Sequence, residues 1–516
     1  MHSFATRSGS LRITAYPSWL RFSLVALLLC VPTMILSAQT KPQATAAPPG
    51  SSVGKWAAPV YFCTYPCLVG ANAAVLNTGK VLFYYYPAAN SQNSQAKVLD
   101  PLTGALTDVN DPAAADIFCS GLSILENGNV LVTGGNTLAT CSHTASGCGT
   151  TNVQIFNPRT QTWSTGKDMY EPRWYPSDVE LSDGTSLEVS GTNATGAEVQ
   201  TALESYSYTT GAWTLLPASA ALPKAVLEVY PRLSLMPSGK VMLTAPSRPS
   251  YQFDPTTNTW TFIANANYGA RYYAPHVLLP GQEQIMVAGG SIEKSNGGGA
   301  ATNTAEIIDM SQPTPSWNYT GSMNYARYNE NLVLLADGTV LAVGGGGGGG
   351  RYTNPVLTAE LYDPKTAQWT TMAPQTIQRT YHSTAVLIPD GRVVSSGSDN
   401  GAPTETTYEI YSPPYLFKGT RPVIQSAPAS LTYGSEFTIA TSNASSITRV
   451  ALVRPGATTH ADDFDQRYVD LTFTLGKGKI TAIAPPSGSM APPGYYMLVI
   501  VNSNGVPSVM PFLQLN

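Results

Sequence analysis

Cys119, in the run Ile117-Phe118-Cys119-Ser120-Gly121, is a thiol with no evident cysteine partner. The chain has six cysteines, and Cys30 falls in the apolar part of an N-terminal leader. Among the other five, Cys63 with Cys67 and Cys141 with Cys148 are short-range disulfide candidates. An odd cysteine in an exported chain calls for a chemical explanation. The groups that could supply one are phenols and imidazoles: Tyr175, the pair Tyr381-His382, and a mature-chain histidine set of His143, His276, His382 and His460. A thiol, phenols and an imidazole brought together make a metal site. Imidazole with oxygen donors in a tetragonal arrangement suits Cu(II), whereas structural Zn(II) requires a closed tetrahedron of Cys and His.

Arg7, Arg12 and Arg21 precede the apolar run from Phe22 to Leu36, and Leu36-Ser37-Ala38 offers small residues for cleavage before Gln39. Residues 1–38 therefore read as a signal peptide and 39–55, rich in Ala and Pro, as a linker. An uncleaved anchor is the alternative, because the run is close to the lower length limit of a membrane span. Export makes disulfides chemically permissible. Only 12% of the residues are charged, the net charge is -4, and the mature part has no Lys/Arg cluster. Nucleic acid and anionic membranes are thereby excluded as partners.

The elements that must position these groups show as a repeat. Glycine-bearing turns recur at Gly79, Gly128, Gly184, Gly239, Gly281, Gly338 and Gly391, each followed by a β-rich apolar run such as Val130-Leu-Val-Thr. Their mean spacing is about 52 residues, close to the kelch period of roughly 50. Most units end in a Pro-containing turn and a tryptophan, as in Asp254-Pro255 to Trp260. The expected fold is all-β: a seven-bladed kelch-type propeller over 56–417, with strand material near Trp56 to Tyr61 completing the last blade. The five blade tryptophans read as packing between blades. Residues 418–516 alternate apolar strands with Gly/Pro/Asn/Ser turns and read as an Ig-like β-sandwich. The Gly344 to Gly350 run lacks the Lys-Ser/Thr of a phosphate loop and reads as a flexible connection.

Nine residues before the seven glycines stand Gly70, Cys119, Tyr175, Tyr230, Tyr272, Asn329 and His382. A common phase places them on one ring facing the axial channel, with Tyr381 beside His382. The phase is weakest at Tyr272, whose turn Leu279-Pro-Gly-Gln-Glu-Gln is the longest. His143 lies in the Cys141 to Cys148 loop and reads as a surface residue, and His276 reads as part of a blade strand.

Four stretches resemble the site motifs of the galactose oxidase and glyoxal oxidase family of copper radical oxidases. They are Ile-Phe-Cys119-Ser-Gly, Arg-Trp-Tyr175-Pro-Ser, Thr-Tyr381-His382-Ser-Thr-Ala and Thr-Thr-His460-Ala-Asp-Asp-Phe-Asp-Gln-Arg467. The resemblance implies one copper ion and a protein-derived radical cofactor, with Cys119 Sγ joined to the Tyr175 ring by a thioether. Tyr175, His382 and His460 would be equatorial ligands and Tyr381 the axial ligand and proton acceptor, with His460 arriving on a loop of the C-terminal domain.

The implied reaction takes a small aldehyde (as its hydrate) or a primary alcohol, reduces O2 to H2O2, and is carried out by a monomer. Asn193 stands where galactose oxidase places its radical-shielding tryptophan, and a linker occupies the place of its carbohydrate-binding domain, so the glyoxal oxidase branch is expected over oxidation of galactose. Trp174 neighbours Tyr175 and should point to the opposite face of its strand. Tyr230, Tyr272, Asn329 and Asn193 are the candidate substrate-pocket residues. The competing reading is a copper-free kelch-type module that binds glycans or proteins.

Overall fold

A computed structural model describes residues 50–63, 67–87, 93–113, 115–137, 147–294, 299–399 and 404–516. The leader, most of the linker, Cys141 and His143 lie outside the described residues. No helix among those described is long and apolar enough to cross a membrane.

The chain is built from short antiparallel strands. Five four-stranded sheets follow one another, their first strands being Gly121–Ile124, Trp174–Glu180, Leu233–Leu235, His276–Leu278 and Tyr328–Leu334. The sheet begun by Ser383–Leu387 is completed from the start of the domain, since Lys55–Trp56 and Val60–Tyr61 both pair with Thr407–Ser412. Asn72–Val75 belongs to a six-stranded sheet whose free edge is taken by Ala457–Thr459 and Asp462–Asp463. This sheet therefore draws on both ends of the chain. Beyond it, a five-stranded sheet around Ile447–Arg454 and Gly494–Asn502 and a three-stranded sheet share one core, with Val450, Leu452 and Leu498 meeting Ile439 and Ile480.

The turn glycines are required by geometry. All seven have φ between 80° and 93°, a region open to glycine at little cost. Tryptophans tie each sheet to the one before it: the indole N–H of Trp163 donates to the Val109 carbonyl, Trp213 to Lys167, Trp260 to Ala220 and Trp369 to Gly321, at 2.6–3.0 Å. Cys63 and Cys67 are joined as a disulfide, and Cys148 is disulfide-bonded as well.

A second repeat, of charge, sits beneath the first. Arg173–Glu204, Arg271–Glu306, Arg327–Glu360 and Arg379–Glu409 are ion pairs of 2.6–3.5 Å, all but fully buried. Each arginine also donates to a backbone carbonyl of the second strand or the residues that end it, at Ser190, Gly289, Gly344 or Gly397. Each glutamate accepts backbone N–H groups of the loop that precedes its arginine, as Glu360 does from Asn324 and Tyr325. Buried charges satisfied in this way fix the loop, whereas removing one partner would strand the other.

Glu330 is the exception. It is fully buried beside Arg327, neither carboxyl oxygen has a hydrogen-bond partner, and burial pushes its pKa up to about 8 against the weaker pull of Arg327. It is therefore protonated in the folded state at neutral pH. A group raised from 4.5 to about 8 on folding stabilises fully below pH 4.5, and its contribution is lost as pH rises to about 8, at about 1.4 kcal/mol per pH unit. Glu330→Gln should flatten this part of the profile: denaturant unfolding at pH 5 and pH 8 should differ less in the variant than in the wild type. An unchanged difference would show that Glu330 is ionised in the fold.

Candidate metal centre

Six residues at the entry of six sheets share one backbone state. Cys119, Tyr175, Tyr230, Tyr273, Asn329 and His382 all have φ between 47° and 64°. Left-handed backbone costs a residue with a side chain about 1–2 kcal/mol, and here neighbouring sheets hold it in place. The Tyr175 N–H donates to the Cys119 carbonyl, Tyr230 to Tyr175 and Asn329 to Tyr273, each at 2.9 Å.

Five of the six are the residues that the repeat phase selects; the sixth is Tyr273 where the phase selects Tyr272. The cause is one extra residue in the turn. Gln282, with φ 63°, donates its N–H to Leu279 as the glycines do elsewhere, so the count runs from Gln282 and ends on Tyr273. Gly70 has no side chain to contribute. Its strand, Asn72–Val75, instead carries the hairpin Ala457–Thr459 and Asp462–Asp463, whose two turn residues are His460 and Ala461 at φ 51° and 63°. Positive φ at both positions is what a two-residue hairpin turn of this hand requires, normally of Asn and Gly.

The hairpin carries His460 into the cluster. Its Nε2 lies 3.0 Å from the Tyr175 hydroxyl and 3.6 Å from Cys119 Sγ, and the Tyr175 and Tyr381 hydroxyls are 2.6 Å apart. The His382 and His460 rings are 4.4 Å apart, and the ligating atoms of Cys119, His382 and His460 all fall within 4.8 Å of one another. Second contacts set the imidazoles. The Thr459 hydroxyl donates to the Ala71 carbonyl at 2.8 Å, so at 2.7 Å from His460 Nδ1 it must accept, which leaves the Nε2 lone pair facing Tyr175. His382 Nδ1 faces the Asp399 carboxylate at 3.6 Å, and its buried Nε2 has no hydrogen-bond partner. The Asp399 carboxylate also accepts from the Tyr86 hydroxyl at 2.8 Å.

Burial, helped in His460 by neighbouring positive charge, lowers both imidazoles, so they are neutral and able to ligate at pH 7. Burial also raises Cys119, Tyr175 and Tyr381. A divalent cation among them would reverse that for the phenols. Two imidazole nitrogens and two phenol oxygens, one nitrogen unpartnered, fit Cu(II) in a tetragonal field.

The glyoxal oxidase N-terminus family model matches residues 99–415, and the galactose oxidase-like Early set domain model matches 421–515. The first span holds Cys119, Tyr175, Tyr381 and His382, and the second holds His460. A galactose oxidase of Gibberella zeae is 30% identical over 90% of this chain and 71% of its own length. The chain belongs to the galactose oxidase and glyoxal oxidase family of copper radical oxidases. An aldehyde oxidase of Vitis pseudoreticulata is 30% identical over 78% of this chain and 82% of its own. The solved structure of a fungal alcohol oxidase in complex with copper superposes with a TM-score of 0.79 at 25% identity, over 90% of this chain and all of the other.

The surroundings of Tyr175 are aromatic. Trp174 does not point away from Tyr175: the rings stack at 3.7 Å with 13° between planes. The left-handed turn at Tyr175 breaks strand alternation and brings neighbouring side chains to one side. Gly147 backs the indole so closely that a Cβ there would lie 2.3 Å from it. Tyr230 also stacks on Tyr175, at 4.6 Å.

Tyr230, Tyr272 and Asn329 line a cavity of 290 Å³ onto which Tyr175, Tyr381 and His460 open. Asn193 is outside that lining, and its Oδ1 accepts from Thr195 and Ala197 in its own turn. His276 is outside as well: its Nδ1 lies 3.0 Å from Asp462, which Arg232 meets at 3.2 Å. Arg232 donates to the carbonyls of Tyr230 and His460 too, and so ties the hairpin to the sheets.

Thr459→Val removes the acceptor that orients His460. Copper affinity, titrated against a chelator, should fall about 10–100-fold, while the copper-free protein should lose about 1–3 kcal/mol of stability because the buried Ala71 carbonyl loses its donor. Wild-type affinity would show that the Thr459 hydroxyl does not position the ligand.

Proposed function

We propose that the chain is an exported copper radical oxidase that oxidises small aldehydes, as hydrates, or primary alcohols and reduces O2 to H2O2. The observation that carries this reading is the Tyr175 hydroxyl, within hydrogen-bond distance of both the Tyr381 hydroxyl and His460 Nε2. Tyr175, Tyr381, His382 and His460 would hold the metal. The seven sheets that start the chain would be blades of one propeller over 56–417, with an Ig-like domain over 418–516 that contributes the His460 hairpin.

Copper, when bound, supplies one-electron Cu(II)/Cu(I) cycling. Removing two electrons from an alcohol needs a second one-electron store, and Tyr175 cross-linked to Cys119 would be that store, because sulfur beside a phenol eases its oxidation. The backbone hydrogen bond between the two residues holds them adjacent. Tyr381, held as a phenolate by the charge of the bound metal, would take the substrate hydroxyl proton, and the short contact between the phenols places that proton next to Tyr175. Tyr175, as its one-electron-oxidised phenoxyl radical, would then accept the hydrogen atom from the substrate carbon, and the two electrons and two protons removed would leave on O2 as H2O2. Trp174, stacked on the Tyr175 ring, would exclude water from it and be the shielding group in this reading.

Copper-loaded protein should release peroxide from small aldehydes and primary alcohols in a coupled assay. His460→Ala should lose copper binding and peroxide production together. Retention of both would remove the C-terminal hairpin from the site and with it this assignment.

A further inference from the structure

His276 takes no part in the metal centre, yet it reaches the hairpin that carries His460. It opens the strand His276–Leu278 and is buried, with Nε2 2.9 Å from the Leu233 carbonyl and 3.1 Å from the Ser234 hydroxyl of the neighbouring sheet. A carbonyl can only accept, so Nε2 carries a hydrogen. Nδ1 then faces the Asp462 carboxylate at 3.0 Å, a contact that needs a further proton on one of the two atoms.

Asp462 closes the His460–Ala461 turn, paired across the hairpin with Thr459. It is buried, and neither of its carboxyl oxygens has a hydrogen-bond partner among the described residues. A buried carboxylate in that state is costly unless positive charge or a shared proton flanks it. Two groups do so: His276 Nδ1 on one oxygen and Arg232 Nη1, at 3.2 Å, on the other. Arg232 also donates to the carbonyls of Ala274 at 2.8 Å, Tyr230 at 3.0 Å and His460 at 3.2 Å. Asp462 therefore holds Arg232 against the His460 carbonyl, and His276 holds Asp462.

Building on the reading of His460 as a metal ligand, we propose that His276 is a positioning residue for that ligand. Contacts run from the Leu233 carbonyl through His276, Asp462 and Arg232 to the His460 carbonyl, so the sheets begun by Leu233 and His276 fix the backbone of a turn contributed by the other end of the chain. The Thr459 hydroxyl orients the His460 ring, and this chain of contacts sets the backbone that carries it. His460 and Ala461 lie at φ 51° and 63°, a conformation that has to be imposed by the surroundings. His276 is not in the lining of the cavity, so it acts on the site through the hairpin alone.

Two variants separate the two sides of the imidazole. His276→Asn keeps an N–H donor where Nδ1 stands and loses the reach to Leu233, whereas His276→Gln keeps the donor to Leu233 and loses the one to Asp462. In His276→Gln, copper affinity titrated against a chelator should fall about 10–100-fold, and the EPR hyperfine splitting of the bound Cu(II) should change. His276→Asn should recover most of both. In the copper-free full chain, hydrogen exchange of residues 457–463 should be about tenfold faster in His276→Gln, as expected for one lost buried polar contact, and close to wild type in His276→Asn. Wild-type affinity, spectrum and exchange in His276→Gln would overturn the proposal. Equal losses in the two variants would also overturn it, because they would mark His276 as packing alone. If the wild type binds no copper, the oxidase reading fails, and the exchange rates of the copper-free hairpin decide the role of His276 by themselves.

Discussion

Left-handed backbone at the entry of the sheets is the constraint on which the rest of the structure depends. A regular strand sends successive side chains to opposite faces, and none of them along the strand toward a common centre. Placing Cys119, Tyr175, Tyr230, Tyr273, Asn329 and His382 at positive φ redirects each side chain and costs energy at every position. Hydrogen bonds from one entry residue to the next hold that geometry, and buried Arg–Glu pairs beneath them clamp the preceding loops. The scaffold is rigid so that a few strained residues can persist.

The His460 hairpin applies the same principle from the other end of the chain. Its turn uses His and Ala where Asn and Gly would be relaxed, and it is held by pairing to Asn72–Val75, by the Thr459 hydroxyl and by Arg232. Because the turn residue is itself a candidate ligand, relaxing the backbone with another residue would remove the chemistry. Strain here is a consequence of delivering an imidazole from a separate domain into a site already crowded by aromatic rings.

Much of this was legible in the sequence, for a physical reason. Hairpin length is nearly constant from sheet to sheet, so counting back from a turn glycine locates the left-handed residue, as it does for Cys119, Tyr175 and His382. It misses by one at Tyr272 because that hairpin holds an extra residue, and the left-handed duty passes from Gly281 to Gln282. Trp174 stacks on Tyr175 and not on the opposite face, because strand alternation does not survive the left-handed turn beside it. The buried arginines share a phase two or three residues before the entry positions, a signal the same count could have found. His460 belongs to no repeat, so only its resemblance to known motifs marked it. The Gly344 to Gly350 run reads as a flexible connection because glycines show no side-chain contacts in a sequence; the structure instead holds it by backbone hydrogen bonds to Arg379, Asn354 and Gly299 and by the Tyr328 hydroxyl.

Cys119 remains the sharpest point of the account: a buried thiol without a disulfide, whose carbonyl accepts from the tyrosine predicted to be its covalent partner. The direct measurement is peptide mapping by mass spectrometry after copper loading in air and full reduction of disulfides. The account predicts that the peptides containing Cys119 and Tyr175 stay joined, lighter by two hydrogens than their sum, and separate in Cys119→Ala. Wild-type peptides that separate on reduction would contradict it.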